Sequence, residues 1–158
     1  MPKRTNAEWR ELDERLAREV MGLCKWDELP EAARQTYWRI VEKEPEGWSL
    51  ETYNRRQWWF VFVNESGCPW ADYSIREWQP HMAVTQALSV LDRIAKIRRH
   101  GHSIFLLAPH LTRYRVLIWE GFGCVGIWRG EHASRAKAIC LAIKAYLDAQ
   151  KEAQDEPG

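Results

Sequence analysis

The chain has 158 residues, with 23 Lys and Arg against 22 Asp and Glu and a formal net charge of +1. That length suits a single domain able to bury about 68–70% of its unfolded surface without help from disulfides or metals. The near-zero charge argues against a duplex nucleic-acid binder, and 46% hydrophobic with 28% charged residues excludes a disordered chain.

Thr5-Asn-Ala-Glu8 reads as a capping box that opens a helix. Trp9, Leu12, Leu16, Val20 and Leu23 follow at helical spacing as one apolar stripe, with Glu11–Arg15 and Glu14–Arg18 on the wet side. Residues 31–44 predict a second helix with Ala33, Tyr37, Ile40 and Val41 inward, stopped by Pro45. Trp58-Trp-Phe-Val-Phe-Val63 is apolar on both alternating faces, which predicts a strand covered on both sides. Ser74-Ile-Arg-Glu77 predicts a short capped turn that ends near Gln79, and the main helix is expected to start at Pro80. Met82, Val84, Ala87, Leu88, Val90, Leu91 and Ile94 supply its apolar side, and Gly101 stops it.

Residues 103–108 and 113–119 predict a hairpin across Pro109-His-Leu-Thr112. A third short strand is expected over 124–128. Residues 134–150 predict a closing helix with Ile139, Ile143, Tyr146 and Leu147 inward, and 151–158 a frayed polar tail. A sheet apolar on both faces needs a helical layer on each. The expected fold is therefore α+β, a three-layer α/β/α sandwich around one small, mostly antiparallel sheet of three to four strands, in one domain over 1–150.

Cys24, Cys68, Cys124 and Cys140 form no C-x-x-C, and three have apolar neighbours, as reduced structural thiols do. The start has no apolar signal segment, and no run approaches the roughly 20 apolar residues of a membrane span. The expectation is a cytoplasmic protein with no membrane partner.

Few motifs carry chemistry. Gly121-Phe-Gly-Cys-Val-Gly126 matches G-x-G-x-x-G, but the following Ile127-Trp-Arg-Gly130 is β-prone, so a Gly-rich hairpin turn fits better than a dinucleotide loop. A kinase-like reading fails because Lys144 is helical and too little chain follows it. There is no H-E-x-x-H and no G-x-S-x-G, and no lysine follows a carboxylate at two residues' distance. His100, His102 and His110 have weak metal-ligand spacing. Glu65, Asp72 and Glu77, near Trp70 and Tyr73, read first as solvated loop and cap residues. No cofactor or metal is called for, and the expectation is a protein that is not an enzyme.

Ten tryptophans, at 9, 26, 38, 48, 58, 59, 70, 78, 119 and 128, are too many to bury completely in a small domain, so some are expected at an interface. Arg55-Arg-Gln-Trp-Trp59 joins guanidinium groups to flat aromatics, the pairing that holds phosphates and stacks on bases. Arg98 and Arg99 end the central helix, where cations suit the dipole. The candidate binding residues are Arg55, Arg56, Trp58, Trp59, Trp70, Tyr73, Arg98 and Arg99.

Two segments resemble a family of small phage proteins, the phage ABA sandwich domain. Leu12-Asp-Glu-Arg-Leu-Ala-Arg-Glu-Val-Met-Gly22 is similar to its first helix, and Ala136-Lys-Ala-Ile-Cys-Leu-Ala-Ile-Lys-Ala145 to its last. Asp72-Tyr-Ser74 and 113–120 echo the segments between. Residues 27–67 look like an insertion. The resemblance implies a three-layer fold and a phage or prophage accessory protein in a bacterial cytoplasm. The family brings no established activity. Together these readings point to a non-enzymatic protein that binds a host protein, for example to counter a defence system, with binding of a small nucleotide or nucleic acid as the alternative. A homo-oligomer is compatible with both.

Overall fold

A computed structural model of the chain describes residues 3–41, 58–62, 69–98, 100–107, 113–120 and 125–155. The elements are mixed helix and antiparallel strand, an α+β chain, and they sort into two compact units. One is Met1–Leu16 with Gln79–Gly158; the other is Ala17–Trp78. The 27–67 segment lies wholly inside the second. The division falls within α1 (Asn6–Glu19).

The first unit opens with the capping box the sequence predicts. The Glu8 N–H donates to Thr5 Oγ1 at 3.2 Å, and the Thr5 N–H donates back to Glu8 Oε2 at 2.6 Å. After it come α3 (Val84–Arg98), β4 (His100–Leu107), β5 (Arg113–Glu120), β6 (Val125–His132) and α4 (Arg135–Asp155). The three strands form an antiparallel sheet in the order β4-β5-β6, with His102 opposite Ile118 and Val116 opposite Gly130. Val116 and Ile118 are buried on the side that α4 covers. Gly130 is required there, because a Cβ would lie 2.2 Å from the Ala138 carbonyl oxygen and 2.3 Å from the Ala142 nitrogen. The absent side chain lets β6 and α4 meet backbone to backbone. Ala138, Ile139, Cys140, Ala142, Ile143 and Tyr146 fill the contact, and Trp128 meets the Tyr146 ring edge-on at 5.0 Å.

The second unit holds β1 (Cys24–Lys25), α2 (Glu31–Val41), β2 (Trp58–Phe62) and β3 (Pro69–Ser74). Its sheet is also antiparallel, in the order β1-β2-β3, with Cys24 opposite Phe60 and Trp59 opposite Tyr73. Gly22, at φ +66°, lets the chain leave α1, and the Leu23 N–H closes back on the Ala17 carbonyl at 2.9 Å. Trp26, Leu29, Tyr37 and Phe60 form the core, with ring centroids 5.4–5.5 Å apart.

Several expectations need correction. The strands form two three-stranded sheets rather than one. The 58–62 strand finds both of its neighbours, β1 and β3, within the second unit, and neither is among the expected strands. The main helix starts at Val84, not Pro80. Pro80 instead sits in a turn over Gln79–Ala83, whose opening Gln79 N–H is held by Gln86 Oε1 at 2.7 Å. Met82, expected inward, falls in that turn and is 65% exposed. Gly101 lies within β4, since α3 has already ended at Arg98. The 124–128 strand runs on to His132, and α4 continues through the expected frayed tail to Asp155, on a Lys-Glu-Ala-Gln run of good helix formers.

Candidate functional site

Of the eight residues expected to bind, Arg55, Arg56 and Arg99 lie outside the described residues, and so do the side chains of Trp70 and Arg98, which stand in β3 and at the end of α3. Trp58 is half-buried against the Trp26–Phe60 core. Tyr73 is half-buried with its ring 4.8 Å from Trp78. Trp59 is only 2% exposed, with Arg18 and Lys25 each 5.4 Å from its ring centre. Its π-surface is already occupied by the chain's own cations, which leaves it a poor platform for a base. Glu77, from the acidic group, is exposed and donates its N–H to Ser74 Oγ at 3.0 Å, closing the predicted turn. Glu65 and His110 lie outside the described residues.

Two arrangements escaped the sequence reading. The first is a buried pair. Asp13 Oδ2 lies 2.5 Å from His81 Nδ1, and Asp13 Oδ1 accepts the His81 backbone N–H at 3.2 Å. Both residues are buried, at 2% and 7% exposure. Burial raises the Asp13 carboxyl, and the His81 ring and N–H pull the other way. Trp9 stacks on His81 with centroids 5.6 Å apart and planes 10° apart. An Asp-held imidazole is the orienting half of an acid–base catalyst, but among the described residues no hydroxyl or thiol hydrogen-bonds the His81 ring. The Cys140 thiol is pushed up by burial and then by the Asp13 charge, so it stays protonated and unreactive. The pair ties the turn before α3 to α1. Sixty-eight residues separate its members, so no local spacing could have announced it.

The second arrangement is the side of the β4–β6 sheet away from α4. Strand alternation places Leu117 and Trp119 there on β5, and Ile127, Arg129 and Glu131 on β6. Leu117 and Trp119 are half-buried, Arg129 is exposed and Ile127 is 52% exposed. Among the described residues, nothing covers Ile127 or Arg129, where the expected second helical layer would lie. Arg113 is exposed, and Arg115 Nε donates to Glu131 Oε1 at 2.8 Å. The described face thus joins an apolar row of Leu117, Trp119 and Ile127 to three guanidinium groups and one carboxylate. Both strands had been identified in sequence. What hides the face in the sequence is that a strand apolar on both alternating sets reads as covered on both sides.

Among the described residues no three His, Cys, Asp or Glu gather as metal ligands, and no helix is long and apolar enough to cross a membrane. No family model, curated protein or solved structure matches the chain.

Proposed function

We propose that this chain is a non-enzymatic accessory protein, of the phage kind its end helices resemble, which binds a bacterial host protein in the cytoplasm. The observation that carries the reading is the open sheet face of Leu117, Trp119 and Ile127 beside Arg113, Arg115 and Arg129. Trp and Arg are the residues most enriched where binding energy concentrates, and an apolar strip rimmed by charge is the usual composition of such a patch. Three arginines against Glu131 select a partner surface that is apolar and acidic. The nucleotide alternative draws less support, because Trp59, one of its expected stacking platforms, is engaged by Arg18 and Lys25.

The test is capture from bacterial lysate by the wild-type chain and by Ile127→Asp. Ile127 is exposed, so the variant is expected to keep its stability within about 0.5 kcal/mol. A partner held in fixed ratio by the wild type and lost in the variant supports the reading. Equal recovery by both, or self-association alone, contradicts it. A thermal shift with nucleotides and no protein partner would favour the alternative, since ligand at 100 times its Kd stabilises by about 2.7 kcal/mol.

A further inference from the structure

Trp9 is 4% exposed, and basic groups surround it. The Arg4 guanidinium carbon lies 5.7 Å from the ring centre and Lys137 Nζ 5.3 Å. His132 meets the ring edge-on at 6.0 Å, and His81 is stacked against it. These groups come from the segment before α1, the first turn of α4, the end of β6 and the turn before α3. Cation–π attraction holds these cations against the ring, but it does not neutralise their charge.

Two nearby carboxylates already hold hydrogen bonds to other groups. Glu8, which feels the Arg4 charge, accepts the Thr5 N–H. Asp13 has an oxygen on the His81 ring and another on its backbone N–H. Neither Arg4 nor Lys137 forms an ion pair among the described residues. The first turn of α4 has Arg135 and Lys137 and no acidic residue, the reverse of what a helix dipole favours. The His132 ring feels one of these charges directly: burial lowers its pKa, and Lys137, together with Arg113, lowers it further. Its Nδ1 accepts the Ser134 N–H at 2.9 Å, which leaves Nε2 as the ring's donor.

The geometry points to an oxyanion site in which Arg4, Lys137 and His132, gathered around Trp9, bind a tetrahedral dianion of the phosphate class. The ligand is free phosphate or the phosphate of a mononucleotide; the indole itself is buried and offers no room for a base. This site is independent of the sheet face proposed above.

The test follows the His132 ring proton by NMR across its titration, identified as the signal missing from His132→Asn. Sodium sulfate, whose charge is constant over that range, is the probe, compared with chloride at matched ionic strength. Sulfate is expected to raise the His132 midpoint by roughly one unit, as a nearby opposite charge does. The rise should vanish in R4Q/K137Q and persist in the control K151Q, at an exposed residue of α4. Phosphate and AMP are then titrated the same way: similar midpoint concentrations identify free phosphate, and a tenfold advantage for AMP identifies the nucleotide. A midpoint that sulfate leaves unmoved, or moves equally in R4Q/K137Q, overturns the proposal. Should the double variant not fold, the wild-type comparison with chloride still decides.

Discussion

The two units solve the same problem, burying a small antiparallel sheet, with different materials. In the first, a 21-residue helix rich in alanine lies against β5 and β6, and the contact is close because Gly130 has no side chain. In the second, strands of two, five and six residues have too little length for that. The Trp26, Tyr37 and Phe60 rings interlock edge to face instead. The contrast explains much of the unusual tryptophan content. Trp26 and Trp59 are structural material for a unit with little backbone to spare, and buried Trp9 and Trp78 are likewise not surface residues. Trp119 stands apart on the open face of the longer sheet.

The largest expected effect tests the backbone contact of the first unit. Gly130→Val places a side chain against backbone atoms of α4 that cannot turn aside, and should cost about 3 kcal/mol or more in urea unfolding. A loss below about 1 kcal/mol would show that β6 and α4 separate easily and that the contact is not what organises the sheet.

In the second unit, Phe60→Ala removes the ring shared by Trp26 and Tyr37 and should cost about 3–5 kcal/mol. Phe60→Leu keeps most of the volume but loses the edge-to-face geometry, and should cost about 1 kcal/mol. If Leu proves as costly as Ala, ring geometry matters more than volume, which sharpens the contrast with the aliphatic first unit.

A smaller effect is read in pH. Asp13 has a folded pKa raised above its ordinary value, so the folded state binds its proton more readily than the unfolded chain does. Its ionisation therefore works against folding, and the stability of wild type relative to Asp13→Asn should be greatest below about pH 3.8 and decline as pH rises through the raised pKa. Asp148 has the opposite sign. Burial opposes its charge, but Lys144 at 2.6 Å and Arg15 at 2.5 Å overcome that and lower its pKa. Its contribution is present above pH 3.8 and is lost as pH falls through the lowered value. Exposed to 40%, it should give a limb of less than about 1 kcal/mol. Denaturation midpoints of the wild type, Asp13→Asn and Asp148→Asn against pH check both signs.

How far the sequence disclosed this depended on the range of the interaction. The Thr5–Glu8 box is a contact over three residues and is found as read. The stripe Trp9, Leu12, Leu16, Val20 and Leu23 is buried throughout, because helical periodicity is local too. The 113–119 strand and the Ile139, Ile143 and Tyr146 face of α4 were legible for the same reason. What failed was long-range. The two-residue β1 has no periodicity to detect, and β3 begins with a proline, which signals no strand. Pro80 reads as a helix start because the Asp13 bond to the next residue lies 68 positions away. Of the expected site, Trp58 packs on the Trp26–Phe60 core, Trp59 lies beside Arg18 and Tyr73 beside Trp78; Trp26 and Arg18 are distant in sequence from the strand they meet, and an Arg-Trp cluster reads the same whether its ring meets a ligand or the chain's own cations.

The central claim is that the partner surface is the open β5–β6 face and that the Trp58–Trp59 strand is core. Hydroxyl-radical footprinting of the free chain and of the complex captured by the wild type tests it most directly. Leu117, Trp119 and Ile127 are expected to be oxidised in the free chain and protected in the complex, with Trp59 unreactive in both. Protection confined to residues 55–59, with Trp119 and Ile127 unchanged, would contradict it.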